Sequence, residues 1–193
     1  GISSAGEGAM GLNVRGGKTD QNLVLLDDAV IYNPQHFFGI FQALNPFTTK
    51  GVDIYKGAIP VAFGGRLSSV FDIRTKNGNV EKIAGEGSIG PVTGNLALEL
   101  PLKKDQSSLV VGARGAYADW ILRSLDEESL NNSNASFFDG ILKYHNKIND
   151  DNEIKATAYY SRDAFSITSD SLYNYSNRLF STRWDHRFNE KTS

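Results

Sequence analysis

The feature that most constrains this chain is a period of two in its apolar pattern, which holds from Val80 to the last residue. In residues 93–100, Leu96, Leu98 and Leu100 share one face, while small or polar residues share the other. Because successive side chains of a strand point to opposite faces, this alternation predicts β-strands with one apolar and one polar face. It recurs often enough to predict six strands, near 82–89, 93–100, 108–117, 138–146, 153–161 and 180–188.

The connections between these segments alternate in length. Three are short and polar and two are long; the short ones are 103–107, 148–152 and 189–192, and the long ones are 118–135 and 166–175. A transmembrane barrel of the outer-membrane type has short periplasmic turns and longer extracellular loops. The alternation favours such a barrel, although the first outer connection, Gly90-Pro91, is tight and departs from it.

The residue types on the two faces also favour a membrane barrel. Aromatic residues near strand ends are typical of interfacial girdles; they are Tyr117, Phe138, Tyr160, Phe180, Trp184 and Phe188. The opposite face is charged, as in a polar lumen, and carries Glu99, Arg114, Asp139, Lys143, Glu153, Lys155, Arg183, Asp185 and Arg187. Arg178 and His186 fall on the aromatic side. A soluble β-sandwich or lipocalin-like barrel also alternates, so the period alone leaves both architectures open.

Composition excludes several classes of protein. With 40% hydrophobic and 22% charged residues the chain is not disordered. Its net charge of −2 gives no reason to expect a nucleic-acid partner. The absence of cysteine excludes disulfides, thiolate zinc sites and cysteine nucleophiles. No apolar run approaches the roughly 18 residues that a membrane-spanning helix needs.

Residues before Val80 have a different organisation. Two short apolar runs within residues 23–32 flank Asp27-Asp28 and predict a tight turn between buried strands. Residues 37–44 have aromatic and apolar side chains at roughly helical spacing, so they predict a helix that ends before Pro46.

The end of this first part is again strand-like. Residues 52–55 and 70–74 alternate as half-buried strands do. Asn77-Gly78 predicts a turn or hinge, and we place the boundary between the two parts near Asn79.

Glycine-containing motifs punctuate the first part. They are Asn13-Val14-Arg15-Gly16-Gly17, Asp27-Asp28, Tyr55-Lys56-Gly57 and Phe63-Gly64-Gly65-Arg66. In order and spacing these motifs resemble the plug of a TonB-dependent outer-membrane receptor. The sequence around Tyr32-Asn33-Pro34 and Phe37-Phe38-Gly39 resembles receptors of the Bacteroidetes type. The resemblance implies that residues 1–79 are the C-terminal part of an α+β plug domain. It also implies that residues 80–193 are the first six antiparallel strands of a transmembrane β-barrel with about 22 strands.

The resemblance also implies roles for two basic residues. In the family, basic residues of the plug motifs face carboxylates on the barrel wall, which assigns plug–barrel ionic contacts to Arg15 and Lys56. Lysine lacks the forked geometry of arginine, so a bidentate contact is not expected at Lys56. A phosphate-loop interpretation of residues 11–19 fails because Leu12 stands where the first glycine is required. The substrate-binding residues remain unknown at this level.

The implied function is energised nutrient uptake across the outer membrane of a Gram-negative bacterium. The implied partners are TonB and its inner-membrane complex, reached through a segment preceding residue 1, together with outer-membrane lipid, a small-molecule or oligomeric nutrient and a surface lipoprotein, but no nucleic acid. Two alternatives stay open: a signalling or envelope-assembly protein of the same architecture, and a soluble β-rich binding module. No enzymatic activity, metal or cofactor is expected, since His36, His145 and His186 are scattered.

The chain ends add an expectation about length. Gly1 opens the chain without a signal peptide, and the last residues are turn-like, so we expect an internal part of a longer polypeptide. Six strands cannot close a wide barrel, which predicts open strand edges.

Overall fold

The computed structural model describes nine stretches of the chain: residues 2–4, 12–14, 22–32, 35–36, 41–42, 45–56, 69–117, 134–166 and 173–188. Within these stretches the chain forms strands and turns. No helix in the described stretches is long and apolar enough to cross a membrane.

The N-terminal segment, residues 1–79, contains eight short strands in its described part. They are β1 (Ile2–Ser4), β2 (Leu12–Val14), β3 (Asn22–Leu26), β4 (Ala29–Val30), β5 (Gln35–His36), β6 (Phe41–Gln42), β7 (Thr49–Lys56) and β8 (Ser69–Thr75). Four of them form one sheet in the order β4-β3-β8-β7, in which β3 and β8 are parallel and the other pairs are antiparallel. The two remaining pairs, β1 with β2 and β5 with β6, are small antiparallel ladders.

Residues after 79 form one antiparallel sheet, here named the wall sheet. Its strands are β9 (Ala84–Ile89), β10 (Thr93–Lys103), β11 (Ser107–Tyr117), β12 (Asn134–Asn149), β13 (Asn152–Ser166) and β14 (Tyr173–His186). They pair strictly in chain order. The described residues after 79 contain the six strands that were predicted, although β12, β13 and β14 are longer than the alternation indicated. β9 and β14 are the edges of the sheet and pair with no further strand among the described residues, as expected.

The two faces of the wall sheet have the polarity that the alternation predicted. Arg114 is 7% exposed and Lys143 is 3% exposed, so the charged face is covered. Phe180 is 72% exposed and Trp184 is 65% exposed on the other face. The N-terminal segment covers the polar face, which we therefore call inward, and the apolar face is outward.

The turn at Asp27-Asp28 is confirmed. These two residues connect β3 and β4 and have φ angles of 45° and 70°. Positive φ at both central residues of a two-residue hairpin is the geometry of a type I′ turn, in which aspartate is one of the favoured residues.

Three expectations need correction. Residues 41–42 form a strand paired with residues 35–36, so the helix predicted over 37–44 is wrong at these two positions; residues 37–40 and 43–44 lie outside the described stretches. β8 is not half-buried, because every residue of this strand except Arg74 is buried. The described part of the N-terminal segment is all β, so the α+β fold expected for it is not confirmed.

Candidate functional site

The candidate site is the contact between the N-terminal segment and the inward face of the wall sheet. It begins with an apolar layer. The side chains of β3 alternate, and Leu26 joins Ile31 and Ile73 on the face that packs against Ile141 and Tyr159 of the wall sheet. The other face of the four-stranded sheet has its own cluster, formed by Leu23, Leu25 and Val70 with Tyr55 packed against it. The interface therefore contains an apolar centre, where the sequence had suggested charge-lined walls.

Side chains pack directly onto the backbone of Gly112 on β11. A Cβ atom at this position would lie 2.4 Å from Cγ2 of Thr48 and 2.7 Å from Cγ2 of Ile141. Thr48 itself is buried, and its hydroxyl donates to the carbonyl of Asn45 at 3.0 Å. Only glycine leaves room for this contact, so Gly112 is a socket for the turn formed by residues 45–48.

Asn45 holds the same turn to the sheet through its side chain. Its Nδ2 donates to the carbonyl of Leu96 at 3.1 Å and to the carbonyl of Ala113 at 3.2 Å. Leu96 and Ala113 face each other across β10 and β11, so one amide bridges two strands. Asn45 is 2% exposed, and a buried amide needs such partners. The sequence had suggested only a helix stop at this residue.

The carboxylate of Asp27 is the polar centre of the interface. Its Oδ1 accepts the backbone N–H of Thr75 at 3.0 Å, and its Oδ2 accepts the hydroxyl of Thr157 at 2.7 Å and also the hydroxyl of Thr75. The ammonium of Lys143 lies 3.1 Å from Oδ2 and also donates to the carbonyl of Thr75 at 3.0 Å. The side chains of Lys143 and Asp27 are only 4% and 12% exposed. The carboxylate thus joins β8 of the N-terminal segment to β12 and β13 of the wall sheet.

The environment of Asp27 changes its acidity. Burial alone raises the pKa of this carboxyl, but the hydrogen bonds from Thr75, the charge of Lys143 and the hydrogen bond from Thr157 outweigh that effect and lower the pKa below its ordinary value of 3.8. Asp27 is therefore ionised at neutral pH, and its negative charge compensates the buried ammonium.

The neighbouring Asp28 makes a second, more exposed ionic contact. Its Oδ2 lies 3.3 Å from the guanidinium of Arg183 on β14, and about half of each side chain is exposed. Arg183 also contacts Asp185 at 2.7 Å, and Asp185 contacts Lys155 at 3.1 Å. Exposed pairs of this kind contribute little each, so the Asp28–Arg183 contact adds little to the stability of the interface.

The connection that leads from β8 into the wall sheet is held against that sheet. The hydroxyl of Ser108 donates to the carbonyl of Asn77 at 2.6 Å. Gly78 has a φ of +88°, and a Cβ there would lie 2.9 Å from Cγ2 of Val110. Lys76 lies 3.4 Å from Glu86, its nearest carboxylate partner on the wall. The turn predicted at Asn77-Gly78 is thus fixed by close contact with β11.

A charged cavity of about 140 Å³ lies beside these contacts. Asp27, Asp28, Lys50, Lys143 and Arg183 are among the residues that line it. Both acidic and basic groups line it, which suits water and polar solutes. Among the described residues, no group of three or more histidine, cysteine or acidic side chains is arranged to hold a metal ion.

The residues that the sequence singled out are distributed unevenly over the described stretches. Asp27 and Asp28 lie in the interface, Tyr55 packs in the second apolar cluster, and Asn13 and Val14 belong to β2. Lys56 ends β7, but its side chain lies outside the described part. The other predicted residues also lie outside it: Arg15, Gly16, Gly17, Gly57, Gly64, Gly65 and Arg66. The ionic contacts predicted for Arg15 and Lys56 therefore stay predictions.

Several interface residues were not recognised in the sequence as members of a site. They are Asn45, Thr48, Gly112, Lys143, Thr157 and Arg183. Lys143 and Arg183 were assigned to the polar face, but nothing local indicated which residue of the N-terminal segment each would meet. Gly112 carried a usable signal, because a glycine inside a strand often marks a close backbone approach.

Comparison with known proteins finds a family that is similar to most of the N-terminal segment. Residues 1–69 match the family described as TonB-dependent Receptor Plug Domain. No curated protein matches the chain. The family match supports a protein of the TonB-dependent receptor type, a class typical of Gram-negative outer membranes.

Proposed function

We propose that this protein is an outer-membrane transporter that takes up a nutrient with energy delivered through TonB. One observation carries the proposal: the plug segment covers the charged face of the wall sheet, while the apolar face of that sheet is exposed. Such an arrangement suits a plug domain inside a transmembrane β-barrel. In an aqueous protein the same sheet would bury its apolar face instead.

The outward face supports a lipid environment. Leu96, Phe138, Leu142, Phe180 and Trp184 are each between 46% and 72% exposed on that face. Contiguous apolar surface of this extent is rare on soluble monomers and marks a membrane or protein contact. Strand edges cannot remain open in hydrocarbon, so β9 and β14 would pair with further strands of a closed barrel.

The inward contacts suggest how transport proceeds. A nutrient binds from outside, and the inner-membrane complex pulls on the plug through TonB. The plug must then part from the wall at contacts such as Asp27–Lys143 and Thr48–Gly112. The Asp27–Lys143 pair and the apolar layer beside it hold the plug against the wall at rest, and both ions regain water when the pull through TonB separates them. Once the plug parts, the charged cavity beside Asp27 becomes one side of a polar path.

The further partners follow from the same proposal. They are TonB, outer-membrane lipid, a small-molecule or oligomeric nutrient and a surface lipoprotein of the kind that accompanies Bacteroidetes-type receptors. The protein itself has no catalytic role in this proposal.

The test is a growth comparison between wild-type cells, cells that lack the gene and cells that lack TonB. Each strain grows on single sources of iron chelate, vitamin, glycan or peptide. We expect one nutrient class to fail in both mutants, with uptake of that labelled nutrient abolished by a protonophore. Uptake that persists without TonB, or a protein that fractionates as soluble after carbonate washing, contradicts the proposal. Normal uptake combined with altered gene expression would instead favour a signalling receptor of the same architecture.

A further inference from the structure

The outward face of the wall sheet has an uneven distribution of charge. Arg162 on β13 and Arg178 on β14 belong to the same outward rows as Tyr160 and Phe180. Every carboxylate of β9 to β14 belongs to the inward rows; these residues are Glu86, Glu99, Asp139, Glu153, Asp163 and Asp185. The described outward face thus carries two guanidinium groups and no carboxylate.

The two arginines lie close together and have free donor capacity. Tyr160 is the register partner of Arg178, and Arg162 is the partner of Ser176, so the arginines are diagonal neighbours on paired strands. The guanidinium carbon of Arg178 lies 5.8 Å from the ring centre of Tyr160. Nε of Arg162 donates to the side-chain oxygen of Asn174 at 3.0 Å. Within the described stretches neither arginine forms an ion pair, and both are exposed. A guanidinium has five N–H donors, so most of theirs remain available.

Their position along the strands coincides with a membrane interface. Arg162 and Arg178 lie in the half of β13 and β14 next to the longer connection, 167–172, and away from the two-residue turn at 150–151. Long connections mark the extracellular side of such a barrel. From His186, the last residue of β14, to Arg178 the strand advances eight residues, which is roughly 20 Å of height for a strand tilted by about 40°. That height is close to the apolar band of about 25 Å of an outer-membrane barrel, and it puts both arginines near the outer rim of that band.

We propose that Arg162 and Arg178 together bind the phosphate of an anionic lipid headgroup in the outer leaflet. The inference rests on the function proposed above, since it needs a membrane around the sheet. An arginine on the lipid face is costly in hydrocarbon but becomes favourable at the rim when an anion fills its donors. The planar guanidinium can form two parallel hydrogen bonds to phosphate oxygens. Two adjacent guanidinium groups therefore present donors to several oxygens of one phosphate. Tyr160 orients the guanidinium of Arg178, and Asn174 orients that of Arg162, before the lipid binds.

The test measures lipid selectivity of the protein purified from its own outer membrane. The protein is reconstituted in phosphatidylcholine vesicles with spin-labelled phosphatidate, a phosphomonoester lipid, or with spin-labelled phosphatidylcholine, and the motionally restricted fraction is recorded. We expect wild type to prefer phosphatidate by about tenfold. R162Q/R178Q should lose this preference, and R162K/R178K should keep part of it. The matched control K103Q/K104Q removes two positive charges at the opposite end of the strands and should retain it.

Three results would overturn the inference: equal retention of both lipids by wild type, an unchanged preference in R162Q/R178Q, or loss of the preference in K103Q/K104Q to the same extent. Displacement of the lipid by inorganic phosphate would assign the site to free phosphate and would also reject it. A protein that inserts into vesicles without selectivity defeats this inference only. A protein that stays outside the vesicles defeats the proposed function as well.

Discussion

At the scale of single residues, Asp27 and Asp28 share one turn but their carboxylates lie in different surroundings. Asp27 is nearly buried against Lys143, whereas Asp28 and Arg183 are half exposed. We expect D27N to lower the free energy of opening of the plug by about 3 kcal/mol, which speeds amide exchange in β3 and β8 about 100-fold. Asparagine tolerates positive φ, so the turn survives the change.

D28N is the matched control for that measurement. It removes an exposed pair in the same turn and should change the free energy of opening by about 0.5 kcal/mol or less. Hydrogen exchange followed by mass spectrometry compares the two variants directly. Equal effects of D27N and D28N would mean that the buried carboxylate does not hold the plug.

Acidity should weaken the same contact. The pKa of Asp27 is lowered in the folded protein, so its contribution is fully present above the ordinary value of 3.8 and is lost as the pH falls through the lower folded value. We therefore expect the difference in plug stability between wild type and D27N to be constant near neutral pH and to shrink below 3.8. Denaturant midpoints of the plug, measured for both proteins from neutral pH to below 3.8, show whether this difference in stability shrinks on acidification. A difference that grows on acidification contradicts it.

Gly112 gives a steric prediction. In G112A the new Cβ meets Thr48 at 2.4 Å and Ile141 at 2.7 Å, so we expect plug docking to weaken by about 1–3 kcal/mol. G115A is the control on the same strand, because its Cβ would meet nothing closer than the carbonyl of Phe137 at 3.7 Å. Adding T48S removes one clashing methyl group and should restore part of the loss. Exchange rates in β3 and β8 report all three variants.

At the scale of elements, substitutions on the two faces of β14 distinguish a sheet that lies in a membrane from a sheet that lies in water. Phe180 is 72% exposed on its outward side, and Ser181 follows it on the inward side. A lysine on the lipid face costs about 2–4 kcal/mol at the bilayer midplane and less toward the rim, which Phe180 approaches as it lies two residues from Arg178, whereas the lumen tolerates polar residues. We expect F180K to reduce the amount of protein assembled in the outer membrane and S181K to leave it nearly unchanged. Heat-modifiable migration of the folded protein on gels measures assembly. In a soluble sheet F180K would be harmless.

The elements also differ in how far the sequence could predict them. The wall strands follow from alternation, because one apolar and one polar face impose a period of two over many residues. The helix over 37–44 was inferred from a short aromatic pattern, and pairing of residues 35–36 with residues 41–42 overrode it. The role of Asp27 was out of reach, since the Thr157 hydroxyl that it accepts lies 130 residues further along the chain. Local sequence identified the turn but not its partners.

At the scale of the whole molecule, the N-terminal segment is held by several dissimilar contacts distributed over the wall strands. Gly112 on β11 supplies a steric socket, Ile141 on β12 and Tyr159 on β13 supply apolar contact, and Arg183 on β14 supplies a surface charge. Neighbouring contacts of one interface are not additive, so losing one strains the rest. In the proposed transport cycle, such an interface would have to part at several different contacts.

A reversible covalent lock tests whether the plug parts from the wall during uptake. The Cβ of a residue at position 112 would lie 3.6 Å from the Cβ of Thr48, within the usual range for a disulfide, and the chain has no cysteine of its own. We expect oxidised T48C/G112C to stop uptake and a reductant to restore it, because the disulfide prevents residues 45–48 from leaving β11. G112C alone, which carries the same crowding against Ile141 without the bond, controls for strain. Full uptake by the oxidised double variant would mean that this part of the plug stays docked while the nutrient passes.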